Sequence, residues 1–371
     1  MQTELAKELG IEIPLFAFTR SPQVVVEVSK AGGMGVLGVI ATGDDALRES
    51  LDYIEAHIGG RPYGVDVVMP AGYVSAGKGQ GMGQAAELEK MLPESHRLFV
   101  NSLLDRFDVP PLPEGSTQHE ALKTWTDGVS RKQVDIALEY PIKLLANALG
   151  PPPPDVITKA HAQGVKVAAL VGSVKHALRQ AAAGVDIIVA QGTEAGGHCG
   201  EVSTFVLVPD IVDALPDVHV LAAGGIGSGR QLAAALALGA QGAWTGSLWL
   251  TAAESHTSEA VRNKLLAAGS SDTVRSRAIS GKPARQLVTE WSKAWDAEDS
   301  PQPLPMPLQF MLTAEAVGRI HRHAQSTGET ALLAQPVGQI VGRMNAIRPT
   351  ADIVAGMVDE FHQTRRRLSD L

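Results

Sequence analysis

Short apolar segments alternate with longer amphipathic segments along the first two thirds of the chain. This alternation is typical of βαβ units, in which each strand is followed by a helix that returns the chain to the next parallel strand. The predicted strands are residues 14–18, 35–40, 63–68, 142–148, 165–170, 186–190, 219–223 and 242–245. The predicted helices between and after them are residues 23–31, 44–58, 129–139, 151–163, 174–183, 209–215 and 229–238.

The predicted strands are apolar throughout rather than alternately apolar and polar. Parallel strands that are covered by helices on both faces have this character. A doubly wound open sheet would give the same pattern, but eight strands in a chain of 371 residues favour a closed (β/α)8 TIM barrel, which takes about 250 residues. We therefore predict an α/β protein with a TIM-barrel fold.

Two segments interrupt or follow this rhythm. Residues 70–128 are rich in Gly and Pro, with one predicted helix at 84–91, and form a long insertion after strand 3. Such an insertion is either a lid over the site or a surface loop without a functional role. After residue 251 the pattern becomes helical and charged, with a Pro-rich connector at 300–307. We predict a barrel over residues 1–250, and a helical C-terminal extension over 251–371 that packs on it and covers the site or a partner subunit of a homodimer.

Composition and charge exclude several classes of protein. The net charge is −8, from 40 acidic and 32 basic residues, so a nucleic-acid partner is not expected. The single cysteine, Cys199, permits no disulfide within the chain and favours a reducing cytoplasm. No apolar run is long enough to cross a bilayer, so no membrane association is expected. The histidines lack the spacing of metal ligands, so no metal is expected.

The strongest chemical motif is QGTEAGGHCG at residues 191–200, directly after the sixth predicted strand. Gly192, Gly196 and Gly197 permit close approach of the backbone to a ligand. A lone histidine is more often structural than catalytic. A glycine-rich loop with so few side chains at the end of a barrel strand, however, leaves an unfilled space that destabilises the fold unless a ligand occupies it. We therefore predict that His198 is a catalytic residue that exchanges a proton or a hydrogen bond near neutral pH.

Two glycine-rich turns follow the seventh and eighth predicted strands. They are AAGGIGSGR at 222–230 and WTGSL at 244–248. Backbone N–H groups at such turns bind phosphate, and TIM barrels often bind phosphate at these two places. Together they predict a phosphate site, whereas GKGQGMG at 77–83 matches neither the dinucleotide fingerprint nor the P-loop.

These motifs, with AGGMGVLG at 31–38, resemble those of the nitronate monooxygenases, formerly called 2-nitropropane dioxygenases. The resemblance spans roughly residues 14–250 and continues through SGKPAR at 280–285 and PVGQIVGRM at 336–344. The EAGGH segment is also shared by FMN-dependent enoyl-acyl-carrier-protein reductases and some NADH:quinone reductases. The motif is therefore more specific for the superfamily than for one reaction.

The resemblance implies an FMN cofactor at the C-terminal mouth of the barrel and a small-molecule substrate that is oxidised by O₂. Alkyl nitronates, or similar small carbanions, would give a carbonyl compound and nitrite. His198 would be the active-site histidine, which binds the nitronate oxygens or moves a proton. The implied cofactor-binding residues are Ala17, Phe18, Asp66, Gly197, Gly224, Gly225, Gly246 and Ser247.

Three departures from the family pattern leave the substrate open. The first loop is FAFTR where the family has a Pro-Met or Gly-Met pair, and Asp66 replaces a common Asn. Leu170 stands where quinone reductases have a Lys. The alternatives are an NAD(P)H-dependent flavin reductase of an enoyl thioester or quinone, and a phosphate-binding barrel without flavin that acts as a lyase or a binding module.

Overall fold

Eight parallel strands close into a barrel, as the sequence predicts. The computed structural model describes residues 1–39, 42–69, 88–113 and 127–371. The barrel strands are β1 (Leu15–Thr19), β2 (Met34–Val39), β3 (Tyr63–Val67), β4 (Leu144–Asn147), β5 (Lys166–Val171), β6 (Ile187–Gln191), β8 (His219–Ala223) and β9 (Gly242–Thr245), and a short strand β7 (Gly197–His198) lies outside the barrel. Neighbours follow chain order, and β9 pairs with β1 to close the barrel.

Thirteen α-helices whose full extent is described surround and extend the barrel. They are α1 (Glu4–Leu9), α2 (Pro22–Lys30), α3 (Asp44–Ile58), α4 (Glu94–Arg106), α5 (Asp127–Ala137), α6 (Pro154–Ala162), α7 (Val174–Ala182), α8 (Thr204–Ala214), α9 (Gly229–Ala237), α10 (Glu259–Ala267), α11 (Glu290–Trp295), α12 (Leu308–Thr327) and α13 (Thr350–Ser369). Residues 88–90 are helical, whereas the rest of the helix predicted at 84–91, apart from residue 91 in a turn, lies outside the described residues.

The predicted start of the helix at Pro209 was wrong, because α8 begins at Thr204 and contains Pro209 in its interior. Proline removes the bond that its N–H would make to the carbonyl of the residue four positions earlier. That residue is Phe205, which is 70% exposed at the start of the helix. Water can reach this first turn, so the lost bond is inexpensive there.

The interior of the barrel is filled by alternate residues of its strands. Phe16, Met34 and Leu144 point inward, whereas Val65 and Val67 point outward into the layer of helices. Parallel strands with both faces covered require apolar residues on both, which explains the unbroken apolar segments of the sequence. Helix α1 closes the amino-terminal end of the barrel, because its residues Leu5, Ala6 and Leu9 join the same interior cluster.

The ring of outer helices is completed from the far end of the chain. A 3₁₀ turn (Ser247–Thr251) follows β9, and α13 packs against α9 and α2, where the eighth barrel helix belongs. Gly229 permits this close approach, since a Cβ there would lie 2.0 Å from the carbonyl oxygen of Met357. The carboxylate of Glu360 accepts bonds from the Gly229 N–H (3.0 Å) and from Nε of Arg230 (2.8 Å), so α13 also caps α9.

The described part of the insertion shares a second hydrophobic core with the C-terminal extension. Leu103 and Leu104 of α4 pack in one cluster with Trp291 and Trp295 of α11 and with Leu312 of α12. The extension contains four α-helices, α10 to α13, and also two strands that were not predicted from the sequence. These are β10 (Thr273–Ser276) and β11 (Ala284–Leu287), which form an antiparallel sheet with β7.

Replacing Gly229 by Ala should destabilise the protein, because the added methyl group meets the backbone of α13, which cannot yield without undocking. We expect a loss of about 1–3 kcal/mol in the free energy of unfolding, measured by denaturant titration. The matched control is Gly318→Ala in α12, where an added Cβ meets nothing within 4 Å. That change should stabilise the helix by about 0.5–1 kcal/mol. Equal effects of the two changes would contradict the packing of α13.

Candidate active site

The site predicted from the sequence lies at the carboxyl ends of four adjacent barrel strands, β6, β8, β9 and β1. The loops that follow them carry the glycine-rich motifs. Because parallel strands present their carboxyl ends at one rim of a barrel, these loops are neighbours in space. Phe18, Leu170 and Gln191 are inward-facing and only half-buried at this end, so they form the floor of the mouth.

The loop that carries His198 is paired with the C-terminal extension. In β7, Gly197 lies opposite Arg285 and His198 lies opposite Ala284 of β11. Arg285 is buried, and its Nε donates to the carbonyl oxygen of Thr193 at 2.7 Å. This pairing holds the histidine loop in a defined position.

His198 is held by a serine of the same extension. Its Nε2 lies 2.7 Å from Oγ of Ser280, and the Ser280 hydroxyl lies 3.2 Å from the carbonyl oxygen of Lys282. When the single hydroxyl proton is donated to that carbonyl, Oγ must accept from Nε2–H, which leaves Nδ1 with a free lone pair. Ser280 lies in the SGKPAR motif, but its contact with His198 was not predicted, since 82 residues separate the two.

His198 is neutral at physiological pH. Burial, and secondarily the positive charge of Lys282, lowers the pKa of the imidazole to about 4. Both causes disfavour the imidazolium form, because one removes its hydration and the other repels its charge. A neutral ring can donate one hydrogen bond and accept another, but it is a weak base.

The PVGQIVGRM segment (336–344) connects the loop that carries His198 to the glycine-rich turn after β9. The N–H of Gly338 donates to Oγ of Ser247 at 2.8 Å, and the N–H of Gln339 donates to the carbonyl oxygen of Glu194 at 2.9 Å. The Glu194 carboxylate in turn accepts from N and Oγ1 of Thr204, both at 2.9 Å. These contacts fix the distance between the loops after β6 and β9. No role for Glu194 or Gly338 was predicted from the sequence.

The glycines of the motifs divide into two groups by what an added Cβ would meet. At Gly192, Gly196 and Gly224 it would lie within 3.0 Å of atoms of Thr204, Gly338 or Thr204 respectively, so these glycines serve packing. At Gly200, Gly227 and Gly229 it would likewise lie within 3.0 Å of atoms of Gly172, Ile340 or Met357 respectively, so these glycines also serve packing. The remaining glycines of the three loop motifs have space in front of them.

Gly197, Gly225 and Gly246 form this second group. At Gly197 an added Cβ meets nothing within 4 Å; at Gly225 it meets only the Glu194 side chain, at 3.4 Å or more; and at Gly246 it meets only Phe18, at 3.7 Å. Gly197 and Gly225 also have positive φ angles of 75° and 70°. The three therefore border the open mouth, where a ligand can approach their backbone.

The first loop contributes one side chain to the mouth and one to the helix layer. Phe18 points inward and stacks with Trp244 at a centroid distance of 6.5 Å. A Cβ at Gly38 would lie 2.6 Å from the Phe18 ring, so that glycine makes room for it. Ala17, by contrast, is fully buried on the outer side with Trp249, which leaves only its backbone to face a ligand.

Asp66 is buried inside the barrel below the mouth. It lies opposite Gly38 on β2 and Ala146 on β4, and its Oδ1 has no hydrogen-bond partner. Burial raises the pKa of this carboxyl to about 7. An unpartnered buried acceptor in a layer of small residues points to a ligand that completes its hydrogen bonding.

Among the residues that the structure describes, no group of three or more His, Cys, Asp or Glu side chains is arranged to hold a metal ion. None of their helices is both long and apolar enough to span a membrane.

The sequence model of the family described as Nitronate monooxygenase matches residues 3–360. The chain belongs to the nitronate monooxygenase family. It is therefore an oxidoreductase, which confirms the resemblance drawn from the EAGGH, glycine-turn and SGKPAR motifs.

Relatives and solved structures agree over the full length of the chain. A protein of Mycobacterium tuberculosis (strain ATCC 25618 / H37Rv) assigned as a monooxygenase is 49% identical, with 100% of this chain and 99% of the relative covered. A protein of Staphylococcus aureus (strain Newman) assigned as a nitronate monooxygenase is 28% identical, with 98% of each covered. The structure of nitroalkane oxidase from Streptomyces ansochromogenes superposes with a TM-score of 0.79 at 24% identity, with 98% of this chain and 99% of the other covered. The structure of FabK from Thermotoga maritima superposes with a TM-score of 0.75 at 25% identity, with 100% of this chain and 99% of the other covered.

Replacing Ser280 by Ala should lower the oxidoreductase turnover about tenfold, because the imidazole loses the hydrogen bond that orients it. We expect kcat to fall, with flavin content and melting temperature close to wild type. The control is Ser276→Ala, which removes a buried hydroxyl of the same hairpin that accepts from the N–H of Ala278 and does not contact His198. Wild-type kcat in the Ser280 variant would show that Ser280 does not position His198.

Proposed function

We propose that this protein binds FMN at the mouth of the barrel and oxidises alkyl nitronates with O₂ to a carbonyl compound and nitrite. The observation that carries the proposal is the neutral imidazole of His198, held by Ser280 at the rim beside the open Gly197. Family membership supports the reaction class, and the residues of the mouth support the cofactor. When bound, FMN would supply the one-electron chemistry between the nitronate and O₂.

The described residues fit the phosphate end of FMN. Gly225 and Gly246 face open space after β8 and β9, so a phosphate can approach their N–H groups. The Ser247 hydroxyl accepts from Gly338, and its own proton remains available for a phosphate oxygen. Gly224 would act indirectly, because its positive φ of 101° and its packing on Ala195 shape the turn.

The described residues also fit the flavin ring. Gly197 offers a backbone that a planar ring can approach, and Phe18 offers an apolar surface at the floor of the mouth. Asp66 offers a buried oxygen without a partner on β3, opposite Gly38, against which the Phe18 ring packs. We assign the ring to this region and the phosphate to the turns after β8 and β9.

The low pKa of His198 favours a nitronate over a nitroalkane as substrate. An imidazole with a pKa of about 4 is a poor base at neutral pH, so it would remove a proton from carbon inefficiently. A nitronate has already lost that proton. In the tautomer in which the Ser280 hydroxyl donates to Nε2, the neutral ring carries its proton on Nδ1 and would donate it to a nitronate oxygen.

The proposed phosphate site can be tested by Gly225→Asp. Aspartate tolerates a φ of 70°, and its Cβ fits beside Glu194, so the variant should fold. Its carboxylate would repel the phosphate, and we expect the Kd for FMN to rise about a hundredfold or more. The control is Gly164→Asp, which has a φ of 71° and open space at the opposite end of the barrel. If both variants bind FMN as wild type does, the phosphate lies elsewhere.

Replacing His198 by Ala should leave FMN bound but abolish most nitronate turnover, whereas His176→Ala on the exposed face of α7 should change neither. In wild type saturated with FMN, activity that needs neutral His198 should be constant from pH 6 to 8 and should fall only as the pH approaches about 4. An acid limb near pH 6.5 would contradict the assigned state of His198. Full activity of His198→Ala would refute its role.

An anaerobic visible spectrum before and after addition of NADH separates this reaction from the alternatives. Flavin bands that persist with NADH and bleach with an alkyl nitronate are the expected result. Rapid bleaching by NADH would indicate a flavin reductase instead. Protein that shows no flavin bands and binds no added FMN would indicate a phosphate-binding barrel of another class.

A further inference from the structure

Asp66 is a carboxyl group in an apolar compartment. The side chain is 3% exposed, and it points into the barrel because its neighbours Val65 and Val67 pack outward against the helices. On the adjoining strands the residues opposite it are Gly38 and Ala146, neither of which can donate a side-chain hydrogen bond. One carboxyl oxygen, Oδ1, has no partner.

Most charged groups of the barrel strands lie at the other end of the barrel. Lys166 and His219 are the titratable residues at inward positions of β5 and β8, and both pair with Glu8 of α1 beneath the amino ends of the strands. The cation at the mouth is Arg20, which follows β1. In the described part of the chain no cation lowers the pKa of Asp66, and burial alone raises it to about 7.

The protonation state decides what this side chain can bind. A neutral carboxyl group offers one O–H donor and one carbonyl acceptor, as a carboxamide does, whereas a carboxylate offers acceptors only. The pyrimidine edge of a flavin presents an imide, with an N–H donor between two carbonyl acceptors. A neutral carboxyl complements an N–H and a carbonyl of this edge together. A carboxylate would satisfy the N–H but would set a buried negative charge against the carbonyl.

We propose that Asp66 binds the flavin in its protonated form, so that FMN binding takes up a proton at this residue. The inference rests on the proposed FMN site. It adds a specific property to this chain, because the residue that the family commonly has here, Asn, presents the same donor and acceptor without titrating. Cofactor loading then depends on pH, and alkaline conditions favour the apoprotein.

The test is titration of FMN into the apoprotein between pH 5.5 and 9, followed by quenching of flavin fluorescence. In wild type we expect the Kd to be constant below pH 7 and to rise above it, approaching tenfold per pH unit. Asp66→Asn should bind FMN as tightly as wild type at pH 6 and should keep that affinity at pH 9. The control Asp186→Asn, at the amino end of β6, should follow the wild-type profile. Parallel profiles for wild type and Asp66→Asn would overturn the proposal.

A second measurement needs no variant. Calorimetric titration of FMN at pH 8, in buffers of different ionisation enthalpy, counts the protons exchanged on binding. We expect uptake of nearly one proton per FMN by wild type, since Asp66 is mostly ionised in the free protein at this pH. Zero uptake would refute the proposal and leave the FMN site intact. Failure of wild type to bind FMN at any pH would instead refute the proposed function.

Discussion

The short ladder between β7 and β11 is the contact on which the candidate active site depends. It joins the loop after the sixth barrel strand to a hairpin nearly ninety residues later in the chain, through the pairs Gly197–Arg285 and His198–Ala284. The same hairpin region supplies Ser280 to the imidazole and Lys282 to its electrostatic environment. The barrel thus provides the rim at the carboxyl ends of its strands and a glycine-rich loop. The extension determines the position of His198 and its protonation state.

The barrel itself could be predicted from the sequence because its signals are local. Each strand is a short apolar segment, each is followed by a helical pattern, and the number of units distinguishes a closed barrel from an open sheet. The start of α8 was predicted wrongly at Pro209, because a proline in the second turn of a helix gives the same local pattern as a proline at a helix start. The strands β10 and β11 were not predicted because their residues (TVRS and ARQL) are half polar, although Arg285, Gln286 and Leu287 of β11 are buried.

The candidate site was predictable only as far as its residues are adjacent in sequence. The histidine and the glycine turns fall in recognisable motifs. Their partners Ser280 and Gly338 lie in SGKPAR and PVGQIVGRM, which extend the family resemblance but contain nothing that links them to His198 or Ser247. The motifs also did not distinguish glycines that face a ligand from glycines that pack against backbone. Gly196 and Gly197 are neighbours in the sequence. A Cβ added at Gly196 would collide with the N–H of Gly338, whereas a Cβ added at Gly197 would meet nothing within 4 Å. That distinction depends on the tertiary fold, so no local pattern could reveal it.

The placement of α13 as the eighth outer helix has a consequence for how the chain is made. All eight strands have been synthesised by residue 245, but the helix that covers β1 and β9 begins only at Thr350. Until then the apolar face formed by Val24, Val28 and Trp249 has no cover, and the N-terminus of α9 lacks its cap from Glu360. The nascent chain must hold an incomplete barrel through more than a hundred residues of synthesis, and its last twenty residues decide when the fold can close.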